Sequence, residues 1–215
     1  DTGTRCADLD KIVGQITGKP LEVIVTHMHP DHAGCIKYFD KVWMHRADTV
    51  LVPQHAADYQ GEFLYMEEGQ VFDLGGRKLE VAWMPGHTPG SVVLLDKANG
   101  DCYSGDAFGS GEVWLQCVPM SPIATFHESC CRMEKLMKEG HIKDIWCGHY
   151  PYLKSSLPLA YIQTMIRISH RLMNGDQEGS EPYSNYFIKM PPTARKLAEG
   201  RAMIVYDSTN IPEAR

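Results

Sequence analysis

Short apolar runs alternate with helical patterns along the chain, and this alternation predicts α/β layering with buried strands. A run rich in β-branched residues at 21–25 (LEVIV) predicts the first buried strand, and residues 41–45 (KVWMH) predict the next one. Residues 142–148 (IKDIWCG) predict a short strand late in the chain. The run at residues 201–207 (RAMIVYD) predicts a last strand, which could lie at a sheet edge.

Two turn signals predict hairpins in the middle of the chain. Gly75-Gly76 separates two strand-like runs, and Asn99-Gly100 lies between the runs SVVLLD and DCYSG. Because the two hairpins follow one another closely, together they predict a β-meander.

Two long amphipathic helices are predicted in the second half of the chain. Thr125 and Glu128 form a capping-box pattern that predicts the start of the first helix, and Gly140 predicts its end. The apolar residues at helical spacing in this segment are Phe126, Cys130, Met133 and Met137. The second helix is predicted within residues 157–173, with an apolar face formed by Tyr161, Met165, Ile168 and Leu172.

The composition fits a single folded domain over residues 1–215. Hydrophobic residues make up 43% and charged residues 22%, which are ordinary values for globular proteins. The net charge of -6 argues against a nucleic-acid partner, and no apolar run approaches the ~20 residues of a membrane span. Seven cysteines, an odd number without a C-x-x-C pair, predict reduced thiols. We therefore expect a soluble cytoplasmic protein with no nucleic-acid or membrane partner.

Residues with metal-binding side chains follow four of the predicted strands. The stretch THMHPDHAG comes directly after the first strand and carries His27, His29, Asp31 and His32. Three further residues follow later apolar runs, and each is directly preceded by glycine: His87, Asp106 and His149. Because glycine lets the backbone turn tightly, the repetition predicts that these residues converge at one sheet edge.

The spacing within the first stretch favours metal binding. His27 and His29 project to the same side of an extended chain, whereas Asp31 and His32 lie on the following turn, so each pair could hold one ion. Imidazole and carboxylate suit zinc, the expected metal, and iron or manganese would also accept them. Cys147 is interpreted as strand core. The other histidines lack strand-end partners and are interpreted as structural: His45, His55, His127, His141 and His170.

The motifs resemble, in the same order, those of the metallo-β-lactamase superfamily. THMHPDHAG is similar to the H-x-H-x-D-H signature of that family, and PGHTPGSV, SGDAFG and CGHYP are similar to its later motifs. The resemblance implies an αβ/βα sandwich with a binuclear metal site in a groove at the sheet edges. It also implies that the first ion is held by His27, His29 and His87, the second by Asp31, His32 and His149, and that Asp106 bridges them.

The opening residues, DTG, also resemble a strand-end aspartate motif of this family. Several strands precede that motif in the family, so we expect the first strands of one layer to be missing from this chain. We expect upstream residues in the native gene product, or another chain in a homo-oligomer, to cover the apolar surface that is left.

The resemblance implies a hydrolase that acts on a small molecule. Water shared by two divalent ions can have its pKa lowered to about 7, which gives hydroxide as the nucleophile. Asp31 would orient this hydroxide or help to move a proton. The bond cleaved would be an ester, thioester, lactone or related bond.

Where the chain departs from the family's motifs, some substrates become less favoured, but more than one activity stays open. Many β-lactamases have Cys or Ser where this chain has Asp106, which disfavours antibiotic hydrolysis. Hydroxyacylglutathione hydrolases carry a Gly-Cys-Gly-Arg-Phe type of segment where this chain reads GSGEVWLQC, so glutathione thioesters are open but not favoured. For Trp114 in that segment, substrate contact and packing are weighted equally. The alternative function is a mononuclear iron oxidoreductase of the persulfide dioxygenase type.

Overall fold

The computed structural model describes residues 1–150, 154–186 and 188–212. Its strands are β1 Lys41–His45, β2 Glu62–Met66, β3 Val71–Asp73, β4 Lys78–Trp83, β5 Val92–Asp96, β6 Asp101–Gly105, β7 Glu112–Trp114, β8 Asp144–Cys147, β9 Glu181–Pro182, β10 Ala194–Glu199 and β11 Ala202–Asp207. Its α-helices are α1 Leu9–Ile16, α2 Pro30–Ala33, α3 Val52–His55, α4 Ile123–Lys138 and α5 Leu159–Met173. Shorter 3₁₀ turns span Ile36–Tyr38, Arg46–Leu51 and Ser208–Asn210.

The central sheet has five strands in the order β3-β4-β5-β6-β8. Both predicted hairpins are confirmed, because β3 pairs antiparallel with β4 and β5 pairs antiparallel with β6. The predicted strand before residue 148 is confirmed as β8, which lies parallel to β6. All five residues of β5 are buried, as expected for a β-branched and leucine-rich strand that is covered on both faces.

The strand predicted at residues 21–25 is not formed, and this prediction is wrong. The segment makes one isolated parallel bridge, between Ile24 and Trp43. Its hydrogen bonds to β1 run from the Val25 amide to the Trp43 carbonyl and from the Trp43 amide to the Val23 carbonyl. The segment is therefore extended, but it pairs with β1 over too few residues to form a strand. Leu21, at its start, is 48% exposed and lies outside this pairing.

A second sheet has the strand order β7-β11-β10-β9. The last strand, β11, was considered as an edge strand, and the structure corrects this. It lies between β7, to which it is parallel, and β10, to which it is antiparallel. Ile204, Val205 and Tyr206 are fully buried, which explains why this apolar run needs neighbours on both sides.

Helix α4 begins two residues before the predicted cap. Its N-cap is Pro122, with no side-chain cap, and the Thr125 amide donates to the Pro122 carbonyl inside the first turn. The predicted end is correct, because Gly140 follows the helix with a φ of 78°. The predicted apolar faces of α4 and α5 are also correct, since all eight residues named for them are buried.

The layers of the molecule follow from three apolar clusters. The largest lies between one face of the central sheet, α4, α5 and strands β7 and β11. A second cluster lies between the other face of that sheet and the pair β1-β2, and a third lies between β1-β2 and the short helical segments outside it. This arrangement of sheets inside and helices outside is the expected mixed α/β sandwich.

All seven cysteines are free thiols, and Cys147 is buried in β8 as predicted. Among the described residues, no helix is both long enough and apolar enough to cross a bilayer.

Candidate metal centre

The seven predicted site residues come together at one edge of the sheets. They lie within two groups, and in each group the possible ligand atoms are within 4.8 Å of one another. The first group contains His27, His29 and His87, and the second contains Asp31, His32, Asp106 and His149. The convergence follows from the topology: the extended segment at 23–25, β4, β6 and β8 all end at this edge, as the repeated strand-end pattern predicts.

The first group is a compact set of three imidazoles. The ring of His27 is 4.9 Å from that of His29 and 4.7 Å from that of His87, measured between centroids. His29 Nδ1 and His87 Nε2 lie 2.9 Å apart. His27 and His87 are only 2% and 5% exposed, so this group is shielded from solvent.

The second group is built around two carboxylates. His149 Nε2 lies 3.0 Å from Asp106 Oδ2 and 3.3 Å from Asp31 Oδ2. His32 Nε2 lies 3.4 Å from Asp106 Oδ1. The Asp106 carboxylate also reaches toward the first group, because its Oδ2 is 3.8 Å from His87 Nε2. Asp106 therefore lies between the two groups.

The outer ring nitrogens of three histidines are already occupied by protein partners. His87 Nδ1 donates to the Trp114 carbonyl at 2.7 Å, and His32 Nδ1 lies 2.8 Å from the Asp1 carboxylate. His27 Nδ1 lies 3.2 Å from Thr26 Oγ1, whose own proton goes to Asp1. With the proton on Nδ1, each ring presents an unprotonated Nε2 to the centre, which is the tautomer a metal ligand needs.

Three buried polar atoms support the fit of this centre to cations. Among the residues that the structure describes, His27 Nε2 has no hydrogen-bond partner, and His32 Nε2 and Asp106 Oδ1 approach to 3.4 Å without forming a hydrogen bond to each other or to another group. A buried polar atom without a partner costs free energy, and here all three belong to side chains that are metal ligands elsewhere. Bound cations would satisfy all three atoms.

Burial keeps the imidazoles of the first group neutral. In the second group, nearby carboxylates instead favour the protonated form of His149. Burial, followed by the nearby imidazoles, lowers the pKa of His29 to about 3 and holds the pKa of His27 well below its usual value. Burial also lowers the pKa of His87. Hydrogen bonds to Asp106 and Asp31 raise the pKa of His149 to about 10. The first group is thus ready to bind a cation at neutral pH, whereas His149 must first lose a proton.

Glycine at position 148 is required by the closeness of the centre. A Cβ atom there would lie 2.6 Å from His32 Cε1 and 3.0 Å from Asp106 Oδ1. Gly86 and Gly105 have φ values of 154° and 49°, so these two positions before His87 and Asp106 also use backbone conformations that favour glycine.

The residues that support the ligands were not all visible in the sequence. Asp1 was noted only through its motif, and its bonds to Thr26 and His32 were not predicted. For Trp114, the backbone carbonyl holds His87, while the indole donates to Glu112 and lies 6.0 Å from the Tyr183 ring. These contacts favour packing for the indole side chain.

The five histidines interpreted as structural lie outside both groups. His45 stacks on Trp83, and His127 is hydrogen-bonded to Ser169. His55 is closer to the centre than its sequence context suggests, since its ring is 5.8 Å from that of His29. His141 is near Glu139, and His170 is near Asn174.

Comparison with known protein families agrees with these motifs. Residues 1–122 match the family model described as the metallo-beta-lactamase superfamily, which confirms the resemblance inferred from the sequence. The acyl-coenzyme A thioesterase MBLAC2 of Homo sapiens is 28% identical over 159 residues, which cover 61% of this chain and 57% of that protein. The hydroxyacylglutathione hydrolase of Aeromonas salmonicida (strain A449) is 29% identical over 141 residues, which cover 65% of this chain and 51% of that protein. The chain thus spans about half the length of the curated relatives it matches.

Solved structures show the same fold. A metallo-beta-lactamase from Pontibacter korlensis superimposes with a TM-score of 0.59 at 16% identity, covering 79% of this chain and 80% of that one. TTHA1623, solved in a di-iron-bound form, superimposes with a TM-score of 0.54 at 25% identity, covering 70% of this chain and 80% of that one.

Proposed function

Because the chain belongs to the metallo-β-lactamase superfamily, we propose that it is a metal-dependent hydrolase in which the seven candidate ligands hold two divalent ions. One observation carries the proposal: two groups of ligating side chains meet at Asp106, and three of their buried atoms have no hydrogen-bond partner among the described residues. Buried polar atoms normally have a hydrogen-bond partner, and bound cations would supply the partner that these three atoms lack.

The first ion would be held by His27, His29 and His87, the second by Asp31, His32 and His149, with Asp106 shared. When bound, divalent ions polarise a carbonyl oxygen and lower the pKa of a water ligand toward neutrality. Zinc is the metal we expect from the ligand types, and iron is the main competitor because the relative TTHA1623 was solved in a di-iron form.

Asp31 is the residue we propose for proton handling. Its side chain is 45% exposed, compared with 14% for Asp106, so it borders the more open side of the centre. Partial burial raises its pKa, but the hydrogen bond from His149 and the nearby His32 outweigh burial, and the pKa is lowered overall. Asp31 is therefore a carboxylate at neutral pH and can accept and pass on a proton from an attacking water.

A thioester of a small carrier molecule is the substrate class that we propose. The relatives described above are named for acyl-coenzyme A and hydroxyacylglutathione, and an acyl group on either carrier is bonded through a thiol. Hydrolysis would add water across the carbonyl–sulfur bond and release a carboxylic acid and a free thiol. The oxygen of the water goes to the acyl carbon, and a proton goes to the sulfur that leaves.

The test is hydrolysis by protein reconstituted with zinc or with iron. We expect thiol release from acyl-coenzyme A or acylglutathione esters, and its loss in His87→Ala. Oxygen uptake with a thiol persulfide, together with one iron per chain and no thiol release, would instead support the dioxygenase alternative. Turnover of the thioesters by metal-stripped protein at the same rate would contradict the proposal.

A further inference from the structure

A buried carboxylate that belongs to neither candidate ligand group contacts the two loops that carry the first group. Asp48, in the 3₁₀ turn Arg46–Leu51, is 1% exposed. Among the residues that the structure describes, its hydrogen bonds come from the Met28 and Gly90 amides and the Thr88 hydroxyl, and not from a lysine or arginine. Its oxygens are satisfied by hydrogen bonds alone, which is an unusual environment for an acidic side chain.

Asp48 joins the two loops that carry the first group. Its Oδ2 accepts from the Met28 amide at 2.9 Å and from Thr88 Oγ1 at 3.0 Å. Its Oδ1 accepts from the Gly90 amide at 2.6 Å. Met28 lies between His27 and His29 in the chain, and Thr88 directly follows His87. One carboxylate therefore fixes the distance between the two loops.

The packing around Asp48 leaves little freedom for this arrangement to vary. A Cβ at position 90 would lie 2.6 Å from Asp48 Cγ, so only glycine permits this approach. Ser91 Oγ accepts from the Thr88 amide at 3.0 Å and lies 2.9 Å from Thr88 Oγ1, which orients the threonine toward Asp48. A buried apolar residue could fill the same space but could not hold three donors at once.

We propose that Asp48 is a positioning residue that sets the spacing of His27, His29 and His87 and so maintains the affinity of the first ion; this inference rests on the proposed function. Residues outside the ligand set that orient metal ligands typically change metal affinity by about 10- to 100-fold when they are replaced. We expect an effect of that size on the first ion and a smaller one on the second.

Asp48→Asn is the discriminating substitution because it keeps the size and shape of the side chain. The amide nitrogen must replace either Oδ1 or Oδ2, and on both sides it would face a backbone N–H, from Gly90 or from Met28. Asp96→Asn is the matched control. Asp96 is likewise buried, at 0% exposed compared with 1% for Asp48. It is hydrogen-bonded to Arg77 and Asn99, and it lies at the end of β5 that is far from the candidate ligands.

The experiment measures zinc per chain at graded chelator concentrations, with thermal unfolding of the metal-free proteins alongside. It is repeated in a His149→Ala background, where the first group is left to bind alone. We expect Asp48→Asn to lose the first ion at a chelator concentration at least about tenfold lower than the parent. We expect Asp96→Asn to retain both ions even if it unfolds at a lower temperature.

Equal metal retention by Asp48→Asn and Asp96→Asn, in a parent that binds two ions, would overturn this inference alone. A parent that binds fewer than two ions would overturn the proposed two-ion centre instead. If Asp48→Asn does not fold, Thr88→Val and Thr88→Ser replace it, because only valine removes the hydroxyl that donates to Asp48. The inference then requires weaker first-ion binding in the valine variant and near-parent binding in the serine variant.

Discussion

At the candidate centre, individual side chains differ sharply in their readiness to bind a cation. Burial holds the imidazoles of His27, His29 and His87 neutral at physiological pH. His149 is the exception, because two carboxylates raise its pKa to about 10. The same carboxylates would be ligands of the second ion, so a proton and a metal compete for one set of atoms.

This competition predicts a proton release that is specific to the second ion. Because the pKa of His149 is raised, the proton is bound at pH 7 and lost only as the pH rises through about 10. We expect the second ion to displace about one proton at pH 7, and its affinity to increase as the pH rises from 6 toward 10. Calorimetric titration of metal-free protein in buffers of different ionisation enthalpy measures this. A first and a second ion with equal proton release would contradict it.

The position of Asp106 between the two groups predicts that its replacement affects the binding of the two ions unequally. If its carboxylate is shared, it offsets the repulsion between two dications. We therefore expect Asp106→Ala to lose one ion preferentially, to leave the His-rich first group largely occupied, and to lower turnover about 100-fold or more.

The cost of Asp106→Ala to folding should be modest, since Asp106 lies at a strand end and not in the apolar core. Metal per chain, thioester turnover and thermal unfolding, each measured beside the parent, check these expectations. Retention of two ions with near-parent turnover would exclude Asp106 as a bridging ligand.

Among the elements, strand ends position the candidate ligands, and helices α4 and α5 pack against the sheet that carries them. The hairpins, β8 and the faces of α4 and α5 could be predicted because turn residues and apolar periodicity are local signals. The length of a strand is less local. Residues 21–25 have the right composition but find a pairing partner in β1 only around Ile24. The internal position of β11 likewise depends on β7 and β10, which are distant or weakly patterned in sequence.

Because helices α4 and α5 pack on the sheet and carry none of the candidate ligands, truncating their core residues should lower stability without changing metal binding. Ile168 is fully buried in α5, against the core shared with α4. We expect Ile168→Ala to lower the free energy of unfolding by about 2–5 kcal/mol, as is typical when a core isoleucine is truncated. Metal per chain should stay at the parent level below the unfolding transition.

Ile166→Ala is the matched control for this prediction, because Ile166 is only partly buried against the same core. We expect a smaller loss of stability there. Denaturant unfolding with parallel metal analysis compares the two variants. Loss of an ion from folded Ile168→Ala would show that the helical layer shapes the site directly.

Gly148, directly after β8, places the backbone against the candidate centre. Because β8 ends with its backbone against His32 and Asp106, Gly148→Ala would push both side chains away from their positions. We expect weaker binding of the second ion with little change in the first. Zinc retention during dialysis against chelator measures this, with Gly18→Ala as the control, because a Cβ at position 18 would meet no atom within 4 Å. Equal retention in both variants would contradict the expectation.

At the scale of the whole molecule, the centre depends on contacts between distant parts of the chain. The convergence of the seven candidate ligands could be predicted because they lie in motifs that follow strand-like runs. Their supports could not be predicted: Asp48 contacts Gly90 across 42 residues, and the Trp114 carbonyl reaches His87 across 27. A backbone carbonyl or an isolated aspartate has no sequence signature of its own, so only the fold reveals these contacts.

Native mass spectrometry of the zinc-reconstituted protein shows directly whether the seven candidate ligands hold two metal ions on one chain. The measurement counts bound ions on the intact folded chain. We predict two zinc ions per parent chain and one per chain for His149→Ala. A parent that takes up one ion or none under saturating zinc would contradict the account.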